Sequence, residues 1–440
     1  MSTAPTPPPH DVTARATGPA TDPAIPAGTL PRLMPRTAIR DLGTHLDTYG
    51  PLPAPSSALI AAVREAGLVG RGGSGFPTGV KMAAVAAHGR RTVVVANGTE
   101  GEPASLKDRT LMAQVPHLVL DGVSLAASAL DATEAVVCID VAHGQVAAIM
   151  ADALAQRVAA GVDRVPIRIE LSPNRYVAGE ETALIHWLNG GEAKPTATPP
   201  RPFEKGVKGR PTLVDNVETL ADVALIARYG PAWFRSLGAT AEPGTMLTTM
   251  SGAVGTPGVY EVATNTSLSA ALEHAGADLA QVSALLVGGY FGTWIPTSMA
   301  SHLTFTHASL RTHGGSIGCG AVFALPGEVC GLAETARITR WLAEQNAGQC
   351  GPCVNGLPAM ADALDQVVAA GMDAHMARDR LDHLLVLVEG RGGCRHPDGV
   401  VRMVRSAMST FAADIDRHLA GVPCAPSPAL LPTPITGGWR

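Results

Sequence analysis

Between residues 57 and 240, short apolar runs alternate with longer segments of helical period. TVVVAN (92–97), AVVCID (135–140) and PIRIEL (166–171) are brief and rich in β-branched and apolar residues, and read as buried strands. SSALIAAVREAGL and GQVAAIMADALAQRVAAG have the spacing of helices, the second closing on Gly161. This alternation predicts an α/β domain. From 244 to 325 the pattern changes to short strands and turns, TMLTTMSGAVGTPGVYEV and then ALLVGGYFGTW, which predicts a small α+β module. Residues 330–420 return to helical period. Ile338, Trp341 and Leu342 mark a helix ended by Gly348; Met360, Leu364, Val367 and Val368 mark a second, stopped at Gly371. Leu381, Leu384, Leu385 and Val388 mark a third, stopped at Gly390. Val400, Val404, Ala407, Phe411 and Ile415 mark a fourth, with Pro397 and Asp398 at its start. Short connections between amphipathic helices predict an up-down-up-down four-helix bundle. The Pro-rich ends, 1–30 and 424–440, predict a disordered arm and a flexible tail.

Composition narrows the class of function. A chain of 440 residues is too long for one ordinary core, and 46% hydrophobic with 16% charged residues is a globular balance. The net charge of −5, with no basic run, gives no reason to expect a nucleic-acid partner. No apolar run reaches the length of a membrane span and no secretory leader is legible. The 7 cysteines are spread along the chain rather than set out as a disulfide framework. A cytoplasmic protein is expected, in which clustered cysteines bind metal or act in catalysis.

Two stretches carry the cysteine chemistry. QCGPCVNG places Cys350 and Cys353 between the first and second predicted helices, and GRGGCRHPDG places Cys394 between the third and fourth. In an antiparallel bundle those two connections emerge at the same end, so three thiols distant in sequence can meet on a metal; the plainer reading is three unrelated cysteines. In the α/β region, GRGGSGFPTGVK (70–81) crowds Gly70, Gly72, Gly73, Gly75 and Gly79 beside Arg71, Phe76 and Lys81. Glycines let a backbone approach a ligand and turn its N–H groups inward on an anion, with Arg71 and Lys81 adding charge. Lys81 precedes Met82, so no hydroxyl is placed for magnesium as in a Walker loop. VVVANGTEGEPASLKDR then puts Asn97, Glu100 and Glu102 after a strand, where α/β sheets bind ligands. NRYVAGEETALIHWL offers Tyr176, Gly179, Glu180 and Glu181 before a helix. GRPTLVDNVETLADVALI offers Asp215, Asn216, Glu218 and Thr219, any of which could equally cap the helix that follows.

Taken in order, these stretches resemble the NADH-binding flavoprotein subunit of respiratory complex I and its relatives in NAD-linked hydrogenases and formate dehydrogenases. The resemblance spans roughly residues 57 to 420. It implies an FMN-binding α/β domain over 57–240, a ubiquitin-like module (a soluble-ligand-binding β-grasp) over 244–325 and an iron–sulfur-binding helical bundle over 330–420. It implies that Gly72, Gly73, Gly75 and Lys81 take the flavin phosphate, that Asn97, Glu100, Tyr176, Glu181 and Asn216 line the ring or ribityl chain, and that Glu102 guards the hydride donor. Glu102 and Glu181 are then the catalytic candidates, and Gly70, Arg71, Phe76, Gly179, Glu180, Asp215 and Thr219 complete the cofactor-binding set. Where the family has Asp, Thr99 stands; the first Asn of its Asn-Asn-Val-Glu-Thr is Asp215. Aromatic positions facing the nicotinamide nucleotide keep Phe76 but fall elsewhere on Ala84 and Arg201, and a lysine becomes Thr198.

The family's first cluster cysteine is Ala347 here, leaving Cys350, Cys353 and Cys394 for a [4Fe-4S] or [3Fe-4S] cluster. A zinc site using His396 is the competitor, and Cys319 and Cys330 are thiols off the family positions. The expected activity is NADH oxidation through FMN to the cluster and on to an electron-accepting partner subunit or ferredoxin-like protein, peripheral to any membrane. The departures leave open an electron-relay or docking subunit without dehydrogenase chemistry.

Overall fold

The computed structural model describes residues 32–89 and 91–440; the arm expected over 1–30 lies outside the described residues. Strands β1 (Thr92–Gly98), β2 (Ala132–Asp140), β3 (Ile167–Ser172) and β4 (Thr212–Asn216) form a parallel sheet in the order β3-β2-β1-β4. β1 is apolar at successive positions because both faces are covered. Val94 and Ala96 pack with helices Pro116–Ala129 and Val217–Phe234, whereas Val93 and Val95 pack with Leu184 and Ile185 of helix Glu181–Leu188. The first two helices approach so closely that a Cβ on Gly122 would lie 1.8 Å from the Leu220 carbonyl oxygen. β1 pairs Asn97 with Asn216 on one side and with Cys138 on the other, so both asparagines end at the sheet's carboxyl edge.

β4 was not among the strands expected. It is five residues long, and its last two, Asp215 and Asn216, are polar, so no period shows. Asn216 also caps the next helix, accepting from the Glu218 N–H at 3.0 Å, as its position in the sequence suggested.

A second, mixed sheet contains β5 (Thr245–Gly252), β6 (Gly258–Ala263), β7 (Val282–Val287), β8 (Thr293–Pro296) and β9 (Ala321–Pro326) in the order β6-β5-β9-β7-β8. Its residues alternate between two cores. Leu285, Ile295 and Val322 face the helix Leu268–His274, while Leu286, Trp294 and Phe323 face the C-terminal helices. Those helices are Gly331–Glu344, Leu357–Val368, Ala374–Val388 and His396–Thr410. The run read as one fourth helix breaks at Phe411, whose ring lies 5.1 Å from Trp294 and against Gly331, and a separate helix Ala412–Leu419 follows.

The Pro-rich composition of 424–440 predicts a flexible tail; the structure instead shows it lying across the helices. Leu431 N–H donates to Glu334 at 2.7 Å, the Trp341 indole donates to the Pro434 carbonyl at 2.8 Å, and the Tyr290 hydroxyl donates to the Pro432 carbonyl. Proline leaves carbonyls free to accept, and here buried side chains supply the donors.

Candidate functional site

At the carboxyl edge of the parallel sheet, residues 70–76 form a closed loop. Gly70 N–H donates to the Phe76 carbonyl and Thr78 N–H to the Leu68 carbonyl, both at 2.9 Å. The tip presents exposed backbone at Gly72 and Ser74, and Phe76 stands 50% exposed at the rim. Gly73 has φ +110, and a Cβ on Gly72 would come within 3.3 Å of Asn216. Arg71 N–H donates to the Thr219 hydroxyl at 2.8 Å, which ties the loop to the long helix. The Arg71 guanidinium turns inward, donating to the Thr245 carbonyl at 2.9 Å beside Asp222 at 3.7 Å, so its charge serves the framework and not the loop's open side.

Lys81 reaches the same edge, donating to the Val214 carbonyl at 2.5 Å with Glu181 3.4 Å away. Asp215 lies below Gly70, and its Oδ2 is buried without a hydrogen-bond partner. Burial pushes its carboxyl up to about 6, against the opposing pull of Lys81. Asn216 ties β1 to the helix Lys107–Gln114: its Nδ2 donates to the Asn97 carbonyl at 3.3 Å and to Asp108 at 2.7 Å, and its Oδ1 accepts from Lys107 at 3.2 Å. Lys107, Asp108 and Glu218 form a buried ion cluster that sequence reading passed over. Burial lowers the Lys107 pKa, but Asp108 and Glu218 outweigh it and hold the ammonium charged. The available signal was a charged Lys-Asp pair followed by a buried, apolar stretch.

The loop after β1 and the turn Tyr176–Gly179 lock together. Asn97 Nδ2 donates to the Gly179 carbonyl at 2.7 Å, and Thr99 donates to Asn97 Oδ1 at 2.8 Å. Glu100, expected to line a cofactor, has both oxygens occupied: Ser105 and the Asp108 N–H donate to one, and the Arg109 N–H and guanidinium to the other. Glu180 caps helix Glu181–Leu188 through the Thr182 and Ala183 N–H groups. Glu102 is buried and accepts from the Tyr176 hydroxyl at 2.9 Å, the Tyr290 N–H at 2.8 Å and the Ala104 N–H at 3.1 Å. Burial outweighs these donors and pushes its carboxyl up to about 7. Tyr290 and the Cys319 thiol close this pocket; Tyr290 did not stand out among the strands and turns of its segment, and Cys319 was legible only as a spare thiol.

The three expected thiols come together at one end of the helices. Cys353 hydrogen-bonds to Cys350, Cys394 is near enough for its sulfur to act on the Cys353 thiol, and Cys350 receives a backbone N–H from Gly393. Burial pushes Cys353 up to about 12, with the neighbouring Cys350 and Cys394 sulfurs adding to it. Ala347 is buried beside them and offers Cys353 only its backbone N–H. His396 Nε2 meets the Leu342 carbonyl at 2.9 Å, while its Nδ1 is buried without a hydrogen-bond partner. The His396 ring packs 5.9 Å from Tyr176, whose hydroxyl holds Glu102. The residues present fit both groups: an exposed glycine backbone with an unpartnered Asp215 oxygen suits a polar, phosphorylated cofactor, and converging thiols suit iron and sulfide.

A glycine-loop α/β unit joined to a cysteine-bearing helical region defines a class of flavin- and iron–sulfur-binding electron-transfer proteins, and the comparisons agree. The family model of the Nuo51 FMN-binding domain matches residues 63–225, and that of the NADH-ubiquinone oxidoreductase-F iron–sulfur binding region matches 333–418. The chain is 32% identical to the second F subunit of NADH-quinone oxidoreductase in Rhizobium meliloti, over 82% of its own length and 88% of that protein's. It is 31% identical to the F subunit of the Escherichia coli NADH-quinone oxidoreductase, over 81% of this chain and 83% of that one. Among solved structures, an NAD+-reducing [NiFe]-hydrogenase in the H2-reduced state superposes with a TM-score of 0.77 at 30% identity, covering 87% of this chain and 68% of that one. The chain belongs to the family of NADH-quinone oxidoreductase F subunits. No helix among the described residues is long and apolar enough to cross a membrane.

Proposed function

We propose that the chain is an NADH-oxidising electron-transfer subunit that uses FMN and an iron–sulfur cluster and delivers electrons to a protein partner, as a peripheral, cytoplasmic component of a larger assembly. Residues 57–240 would be the FMN-binding unit, 244–325 a ubiquitin-like module and 330–420 the iron–sulfur bundle. When bound, FMN supplies a centre that takes electrons as a pair and gives them up singly, and the cluster supplies a one-electron carrier.

The residues then divide the work. The backbone of Gly72, Gly73 and Gly75, with Lys81, would bind the phosphate; Gly70, Arg71 and Thr219 set the loop's position. Asn97, Tyr176, Gly179, Glu181, Asp215 and Asn216 would orient the cofactor at the sheet edge. Phe76, half-exposed at the rim, would stack on the entering nucleotide. Glu102, with its carboxyl near 7, holds or releases a proton beside the site while the Tyr176 hydroxyl and Tyr290 N–H fix its position. Glu100 and Glu180 keep the surrounding loops in place. Cys350, Cys353 and Cys394 would ligate the cluster.

One observation supports this reading: Tyr176 bridges the residues proposed for the two centres. Its hydroxyl bonds Glu102, and its ring meets His396, two residues after Cys394. Anaerobic purification followed by NADH addition tests it. The visible spectrum should show bound flavin that bleaches, followed by loss of iron–sulfur absorbance. Flavin that stays oxidised under NADH would exclude the dehydrogenase reading.

A further inference from the structure

Behind the C-terminal helices, away from Cys350, Cys353 and Cys394, lies a second group of soft ligands. Cys330 caps the start of helix Gly331–Glu344, His418 closes helix Ala412–Leu419, and Cys424 begins the tail. Among the described residues, this is the group of His, Cys, Asp and Glu whose ligand atoms all lie within 4.8 Å of one another. Cys330 Sγ and His418 Nε2 are 3.5 Å apart; both residues are buried, and Cys424 is half-buried.

We propose that Cys330, His418 and Cys424 bind one zinc ion, which fastens the C-terminal tail to the helices. A tetrahedral centre with Zn–S near 2.3 Å and Zn–N near 2.0 Å separates sulfur from nitrogen by about 3.5 Å. The observed 3.5 Å matches that edge before any rearrangement. A thiol–imidazole hydrogen bond has a similar length, but it needs no second sulfur within 4.8 Å of both atoms. Two thiolates and an imidazole select a borderline-soft ion over magnesium or calcium, which take oxygen. The three protein ligands leave one position for water, on the side where Cys424 is partly open to solvent. The ligands come from three separate segments, so the ion would close a loop running from the first C-terminal helix to the tail. Six residues beyond Cys424 the chain begins its hydrogen bonds to Glu334.

Elemental analysis of the full-length protein, purified anaerobically, should give one zinc per chain in addition to iron. X-ray absorption at the zinc edge should show two sulfurs at about 2.3 Å and one nitrogen at about 2.0 Å. Cys424→Ser, on the tail and outside the helices, should lose the zinc while keeping iron and flavin, and amide exchange over 424–436 should quicken. His418→Gln should lose it too, whereas Cys353→Ala should retain it. Substoichiometric zinc in the wild-type protein overturns the proposal. So does zinc retained by both the Cys424 and the His418 variants, or a Cys330–Cys424 disulfide found by non-reducing mass spectrometry.

Discussion

Glu102 shows how much one side chain can be made to do by its surroundings. It is 8% exposed, and three donors converge on its two oxygens. Those donors favour the carboxylate, yet burial wins and moves the group from 4.5 to about 7. The folded state therefore keeps this proton over a range in which the unfolded chain has lost it. Between about pH 4.5 and about pH 7 the folded chain binds more protons than the unfolded one, so stability from this group falls as pH rises and levels off above about 7. At about 1.4 kcal/mol for each tenfold change, the loss is of order 3 kcal/mol. Glu102→Gln removes the titration. Thermal midpoints of the two proteins, compared at about pH 5 and about pH 8, should show the variant gaining on the wild type as pH rises. Parallel midpoints at both would mean that the group titrates normally. The same variant should flatten the corresponding limb of the pH–rate profile for NADH oxidation.

Loops and turns, more than helices and strands, hold the proposed site, and their requirements can be tested one at a time. Gly73 sits at φ +110, which an L side chain rarely adopts, on a loop whose backbone faces the sheet edge. Gly73→Val adds a branched side chain there, so flavin should be lost on purification while far-UV circular dichroism stays native; a variant that remains yellow would move the phosphate elsewhere. Cys353 is buried and influenced by both of the other sulfurs, so Cys353→Ala should drop iron to background while leaving the flavin-to-protein absorbance ratio unchanged. Iron retained in full would remove Cys353 from the ligand set.

Much of this was legible because each signal was local. β1 and β2 carry continuous apolar runs, β3 alternates Ile167, Ile169 and Leu171 with charged residues, and the helices carry a heptad-like spacing with glycine stops. The convergence of Cys350, Cys353 and Cys394 followed from which connections share an end of an antiparallel set. What escaped were contacts set by tertiary structure. β4 is too short for a period, and Lys107 pairs with Glu218 more than a hundred residues away. Tyr290 reaches Glu102 through a backbone N–H that any residue would supply. Arg71 and Glu100 were legible as charges but not as framework charges, because their partners, Asp222 and Arg109, are identified only by folding.

Across the whole molecule, the C-terminal tail binds the two chemical regions to one another. Its backbone accepts from the Tyr290 hydroxyl and the Trp341 indole, and its Leu430 and Leu431 N–H groups donate to Glu334. Farther on, Thr436 accepts from Arg175 and from Gln345, and the Trp439 ring lies 4.3 Å beneath the Arg175 guanidinium. Arg175 directly precedes Tyr176, and Tyr290 flanks Glu102, so the tail braces the backbone between the two proposed centres. Truncation before Leu430 leaves Glu334, itself 5% exposed, without two of its donors and leaves the Trp341 indole without its acceptor. Each buried polar group stripped of its partner costs about 1–3 kcal/mol, reduced where water enters. Removing the Trp439 ring from the Arg175 guanidinium costs of order 1 kcal/mol more. The truncated chain should therefore melt several degrees lower. In rapid mixing with NADH it should also reduce its iron–sulfur absorbance more slowly while its flavin still bleaches at the wild-type rate, because the phosphate loop and Glu102's donors from Tyr176 and Tyr290 remain covalently in place. An unchanged melting midpoint, or equal slowing of both phases, would show that the tail is a passenger on the helices and not a brace between the centres.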